Sequence, residues 1–135
     1  MSDKDDVRLD LLLFSVGGVY FAADAGQVSG IAAYDGEQGD DLFWFHKELG
    51  YEDESTAYLS PTVVTIRTGD EHSYRVIIDS MDDIAEFQQH EIIPFPALME
   101  PFAVRRGLWG ILAGSAPFVL LVDFQLLLKQ KRIKN

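Results

Sequence analysis

Apolar residues in this chain fall in short blocks that alternate or run on, and only rarely at helical spacing. Arg8 to Val16 reads Arg-Leu-Asp-Leu-Leu-Leu-Phe-Ser-Val, and after Gly17-Gly18 comes Val19-Tyr20-Phe21-Ala22-Ala23. Two apolar segments joined by paired glycines predict a hairpin, because glycine supplies the positive φ that tight primed turns demand. Within the first strand, Leu11 and Leu13 point one way and Leu12 and Phe14 the other. A strand apolar on both faces must be covered on both. One face fills a core; the other requires a second subdomain or a partner.

From Asp24 to Ile31 the pattern predicts one short helical turn, capped by Asp24 and carrying Val28 and Ile31 at i, i+3. Ala32 to Asp41 reads as an acidic loop, Leu42 to Phe45 as a short aromatic strand, and His46 to Gly50 as a turn. A second acidic loop, Glu52 to Ser60, follows. Val63 to Arg67 and Tyr74 to Asp79 predict a hairpin around Thr68 to Glu71, with Met81 to Phe87 continuing extended. Ile92-Ile93-Pro94-Phe95-Pro96 is expected to leave the sheet, since proline cannot donate to a ladder. Pro94 to Arg106 then reads as a long loop. Gly107 to Ala113 and Phe118 to Val122 form a further hairpin, and Asp123 caps a final helix over about 124–134, with Phe124, Leu127 and Leu128 on one face. Many short strands with few helices predict an all-β fold of small barrels.

Composition sharpens this. With 135 residues, 47% of them apolar, the chain fits one globular domain large enough to hold a core. It has no cysteine, which removes disulfides, thiolate metal sites and cysteine nucleophiles together. Its 22 acids against 11 bases give a net charge of −11, so a nucleic-acid footprint is lacking. The charge is lopsided: residues 1–60 carry 13 acids and 3 bases, residues 61–135 carry 9 and 8. The acidic Met1 to Asp6 is unlike a secretory signal, and the longest uncharged run, Gly107 to Val122, is too short and too broken by Pro117 to span a bilayer. No membrane insertion is expected, and a cytoplasmic location is.

Motifs that carry chemistry are missing. There is no phosphate-binding loop, no Gly-x-Ser-x-Gly elbow, and no histidine pair at i, i+4. His46, His72 and His90 read as surface residues in loops and turns. Asp35 to Asp41 invites a calcium reading, but the spacing and closing glutamate of an EF-hand loop are absent, so a solvated loop is expected. Neither catalytic residues nor a metal or cofactor is expected. Phe43, Trp44 and Phe45 stand in a row; two of these rings fit a core, and at least one is expected to be exposed. A small-molecule barrel would require convergent polar groups, and the sequence offers no such set.

The order of features resembles the CheW family of bacterial chemotaxis coupling proteins over nearly the whole chain. Leu11 to Phe14 with Gly17-Gly18-Val19-Tyr20-Phe21 looks like its opening hairpin, and Val28-Ser29-Gly30-Ile31 falls where the family has Val-x-Glu-Ile. Phe45 to Tyr51 is similar to the segment closing the first subdomain, and Val76 to Ile84 to the strand ending Val-Asp-x-Val-x-x-Val. Ile93-Pro94, Gly110-Ile111-Leu112 and Leu120 to Phe124 with Leu127-Leu128 follow in order.

The resemblance implies one CheW-like domain over 1–135, made of two small SH3-like β-barrel subdomains side by side and a C-terminal helix. It places the first subdomain at about 8–59 and the second, complete, at about 60–123. It further implies a non-catalytic adaptor linking a chemoreceptor cytoplasmic tip to the regulatory domain of a CheA-type histidine kinase. Partner contacts are expected at Val28 and Ile31 (from the Val-x-Glu-Ile match), at Met81, and at Leu12 and Phe14 of the two-faced strand. The family's Gly-x-x-Asn-Leu-Arg-Gly segment is missing between Ile31 and Phe45, Gly30 replaces the usual glutamate, and Trp44 replaces an aspartate. The first barrel is therefore expected to be open, with an unpaired edge that a copy or another partner covers. The alternative expectation is a module that has lost receptor coupling and acts by self-association as a homodimer, or in another signalling complex.

Overall fold

The computed structural model describes residues 7–50, 57–67, 73–112 and 118–128. The fold is all-β: among the described residues nine strands share one sheet and helices are few and short. The strands are β1 (Arg8–Val16), β2 (Val19–Asp24), β3 (Val28–Ala33), β4 (Leu42–Trp44), β5 (Pro61–Ile66), β6 (Tyr74–Gln88), β7 (Ile92–Ile93), β8 (Leu108–Leu112) and β9 (Val119–Val122). Along the sheet the order is β3-β5-β6-β1-β2-β9-β8-β7, with β4 pairing β6 off that path. Short helices α1 (Phe45–Glu48), α2 (Glu100–Arg105) and α3 (Phe124–Leu127) sit between or after the strands. No helix among the described residues is long and apolar enough to cross a membrane.

The β1–β2 hairpin forms as the glycine pair demands. Gly17 and Gly18 take φ of 60° and 83°, and Phe14 faces Phe21 across the ladder. Both faces of these strands are covered, each by its own core. Leu12, Phe14, Val16, Phe21 and Ala23 join Val64, Ile66, Val76, Ile78, Phe45 and Phe124 in the larger cluster. Leu11 and Ala22 join Leu112 and Leu121 in the smaller one. The alternation visible in the sequence thus feeds two cores from one hairpin. The larger cluster draws on strands from either side of residue 60, because β3 pairs β5 and β5 pairs β6.

Strand β6 is the long spine. Its first half lies between β5 and the parallel β4, where Leu42, Phe43 and Trp44 face Arg75, Val76 and Ile77. Its second half runs beside β1, with Leu12 opposite Ile84. Between the halves the register shifts at Leu13/Ser15, and Ser80, with φ 45°, absorbs the bend. A buried carboxylate pins this corner: Asp79 accepts the Leu59 and Ser60 N–H groups at 2.9 and 2.5 Å.

Several sequence expectations are corrected. The helical turn over 24–31 is a three-residue 3-10 turn, Ala25–Gln27, and Val28 opens a strand. Asp24 caps that turn as expected, accepting the Gly26 N–H at 2.9 Å. Apolar residues at i, i+3 fit a helix, but antiparallel pairing with β5 claims Val28 to Ala33 instead. Phe45 leaves the aromatic strand to start α1 and is fully buried, while Phe43 and Trp44 are half-buried. None of the three is fully exposed, because Tyr34 and Tyr58 pack edge-on against Trp44 at 5.5 and 4.9 Å. Ile92–Ile93 stays in the sheet as the edge strand β7 and stops at Pro94. The expected loop over 94–106 contains α2, with a proline in its first turn.

The β5–β6 and β8–β9 hairpins form, though their turns at 68–72 and 113–117 lie outside the described residues. At the C-terminus, Asp123 caps α3 by accepting the Leu126 N–H at 3.1 Å, and Phe124, Leu127 and Leu128 are buried. The remainder of the expected helix, from 129 on, lies outside the described residues. Gly107, at φ 78°, lies so close to Leu127 that a Cβ there would sit 3.0 Å from its Cα.

Candidate protein-docking site

The first five strands in sheet order, β3-β5-β6-β1-β2, surround the larger core, yet β2 and β3 are not hydrogen-bonded to each other although only the 3-10 turn separates them. At this seam lies an apolar groove of about 270 Å³, lined by Leu12, Ala25, Val28, Ser29, Gly30, Ile31 and Ile84. Leu12, almost fully buried, is its floor. Ile31 on β3 and Ile84 on β6 are its walls, at 41% and 48% exposure. Two large aliphatic side chains half open to water across one groove are an unpartnered surface of the sort that protein contacts cover.

Three of the five residues expected from the sequence therefore line one groove: Leu12, Val28 and Ile31. The other two lie elsewhere. Phe14 has no exposed surface; it stacks on Phe21 at 5.6 Å and Phe124 at 6.0 Å and meets the edge of Phe45 at 5.2 Å. It belongs to the larger core and presents no surface to a partner. Met81 is half-buried against the larger core and is not among the lining residues. Ile84 was missed, although the sequence carries a signal for it: a lone isoleucine at the centre of Asp82, Ile84 and Glu86, which share one strand face.

Carboxylates edge the groove. Asp82 and Glu86 flank Ile84 at i−2 and i+2, and Asp10 stands opposite Glu86 on β1. Against these three acids stands Arg8, which meets Glu86 at 3.9 Å.

The acidic loop before β4 is held by an arginine rather than left solvated. Arg75 donates from Nε and Nη2 to Asp41 at 3.1 and 3.0 Å and from Nη1 to Glu37 at 2.7 Å. This fork holds the Asp41 carboxyl below its ordinary value of 3.8, chiefly through the hydrogen bonds from Arg75. A folded-state pKa below the unfolded one adds stability at neutral pH that is lost as pH falls through it. Arg75→Ala is expected to lower the melting temperature by about 3–6 °C at pH 7, as pairs this exposed contribute about 1 kcal/mol together. The gap to wild type should narrow once pH drops below 3.8 in thermal melts.

A second apolar hollow, about 220 Å³, lies by the hairpin end, between Val16, Val19, Phe21, Phe45, His46, Leu49 and Leu120. His46 is buried at 7% exposure, a correction to the expected surface histidine. Its Nδ1 lies 2.9 Å from the Tyr58 hydroxyl, and its backbone N–H donates to that oxygen at 3.2 Å. Burial pushes the Tyr58 phenol up to about 12. Since the neutral phenol is the form the fold favours, its contribution is complete below pH 10 and lost as pH rises through about 12. Ultraviolet titration should show a tyrosine ionising near pH 12, and Tyr58→Phe should remove that late step.

His90 is exposed in the 3-10 turn Gln89–Glu91, and His72 lies outside the described residues. Among the described residues no three His, Asp or Glu side chains converge as a metal site would require.

No family model and no curated protein matches the sequence. Solved structures do. The chain is similar to the scaffolding protein TtCheW of Thermoanaerobacter tengcongensis, with a TM-score of 0.66 over 91% of this chain and 94% of that one, at 12% identity. That likeness shows the fold: the protein adopts a divergent CheW-like fold.

Proposed function

We propose that the protein is a non-catalytic scaffold of the chemotaxis type, which binds other proteins at the seam groove. The reading is carried by one observation: on a CheW-like fold, Ile31 and Ile84 stand half-exposed across a groove floored by Leu12. Such a surface gains free energy when covered, roughly 25 cal/mol per Å² of apolar area removed from water. The partners proposed are the regulatory domain of a CheA-type histidine kinase and a chemoreceptor cytoplasmic tip, with Leu12, Val28, Ile31 and Ile84 as the contact set. The two halves are proposed to act as barrel-like subdomains, the first open at its seam, in a cytoplasmic protein.

A second reading rests on the free edge of β3, which among the described residues pairs only with β5. Unpaired edges invite another strand, so a homodimer joined through β3 is the alternative. Light scattering across a concentration series, with and without a CheA-type regulatory domain, separates the two. A constant monomer mass alone and a 1:1 complex on mixing support the scaffold. A mass that doubles with concentration and ignores the kinase domain supports the dimer.

A further inference from the structure

We propose that the seam groove receives an extended, lysine- or arginine-bearing segment of another protein, which pairs with the free edge of β3 as an added strand. This rests on the docking role above and names the chemistry of the partner. Four consecutive residues, Val28 to Ile31, line the groove. Gly30 and Ile31, in regular register, point to opposite faces, so a groove bordered by both, and by Val28 and Ser29 at the register shift before them, runs along the strand's edge.

That edge is open. The Tyr34 N–H donates to the Pro61 carbonyl on the β5 side, so alternation turns the Ile31 and Ala33 N–H groups outward. The edge Val-Ser-Gly-Ile-Ala-Ala carries no charge and no proline to blunt it, and beyond the register shift between Val28 and Gly30 its pairing with β5 is regular. Across the seam the situation differs: the Ile84 N–H already donates to its neighbour's Asp83 Oδ1 at 2.7 Å. An incoming strand therefore pairs on the β3 side and rests its side chains on Leu12 and Ile84. Such strand addition draws affinity from main-chain hydrogen bonds and selectivity from pockets for alternate side chains.

Charge selects the occupant. Asp10, Asp82 and Glu86 border the apolar strip, and Arg8 opposes them through its 3.9 Å pair with Glu86. A second copy would bring the same carboxylates and another −11 against this surface. A segment alternating apolar and cationic residues satisfies both the strip and its border.

The test uses the full chain and a capped heptapeptide, Lys-Leu-Lys-Val-Lys-Leu-Lys, with two comparison peptides: one with glutamates for lysines, and one N-methylated at alternate amides. Titration should show saturable binding of the first peptide, new hydrogen-exchange protection of the Ile31 and Ala33 amides, and at least about tenfold weaker binding of both others. Ala33→Pro, which removes an outward donor and leaves the β5 ladder intact, should weaken the first peptide about tenfold, whereas Ala33→Thr should not. Asp82→Lys with Glu86→Lys should reverse the preference between the lysine and glutamate peptides. Equal binding of the N-methylated peptide, or no binding at about 1 mM, overturns the added strand. Protection of β3 amides by the protein's own concentration overturns the choice of occupant in favour of a second copy. A kinase regulatory domain that binds, loses affinity on Ile31→Asp and ignores Ala33→Pro leaves the docking role standing and removes only this inference.

Discussion

Replacing Phe14 by alanine is expected to lower the stability of the fold by about 3–5 kcal/mol, the range for a buried ring truncated in a packed core. Phe14 lies where β1, β2, α1 and α3 meet, touching Phe21, Phe45 and Phe124 at ring-centroid distances of 5.6, 5.2 and 6.0 Å. Neighbours drawn from three other elements cannot all collapse into the space left behind. Aromatic pairs add about 0.5–1.5 kcal/mol beyond area burial, and three are lost at once. Since a domain of this size commonly holds only about 5–15 kcal/mol in total, much of the margin would be lost. Urea melts of wild type and Phe14→Ala measure this directly. A loss under about 1 kcal/mol would show that the ring is not the keystone of the larger core.

Ile31→Asp and Ile84→Asp are expected to behave in the opposite way, sparing the fold and removing the partner. Both side chains are nearly half open to water, so a carboxylate at either position stays hydrated and the fold should change by only about 0.5 kcal/mol. In a complex the same carboxylate would be pressed against Leu12 and Val28, with Asp82 and Glu86 nearby. Central apolar contacts typically contribute 2 kcal/mol or more, so each variant should weaken a CheA-type regulatory domain at least ~30-fold. Circular dichroism melts and titration calorimetry on the same samples give both readouts. Unchanged affinity in both variants would move the docking surface away from the seam.

How far the sequence discloses this depends on the range of the interactions involved. Local patterns were legible. The glycine pair at 17–18, the two-faced run Leu11 to Phe14 and the cap at Asp123 each express chemistry within a few residues, and each appears in the structure. Long-range pairing was not. The parallel contacts of β4 with β6 and of β2 with β9 join residues far apart in the chain, and nothing in Leu42 to Trp44 announces a parallel neighbour. Val28 and Ile31 fit a helical turn by sequence, because they form an i, i+3 pair behind a capping aspartate. Gly26 and Gly30 weaken any helix there, and β5 supplied a better partner.

The site was legible in part for the same reason. Leu12 could be singled out because its strand is apolar on two faces, and it proved to be the floor of the groove. Phe14 carried the same signal and lies in the core, since alternation tells which residues share a face but not how far along the strand the cover extends. No local pattern in the sequence marks Arg75. Its partners Glu37 and Asp41 lie more than thirty residues upstream, and only the fold brings that fork to the acidic loop.

The seam groove is the central claim, and hydrogen exchange of the whole chain with and without a CheA-type regulatory domain tests it most directly. The account predicts that protection on mixing is concentrated at Val28–Ala33 of β3 and around Ile84 of β6. A competing surface exists, because α2 and the segment before it leave Leu98, Met99 and Phe102 exposed. Protection confined to that segment, with the amides of β3 and of β6 around Ile84 exchanging as they do alone, would contradict it.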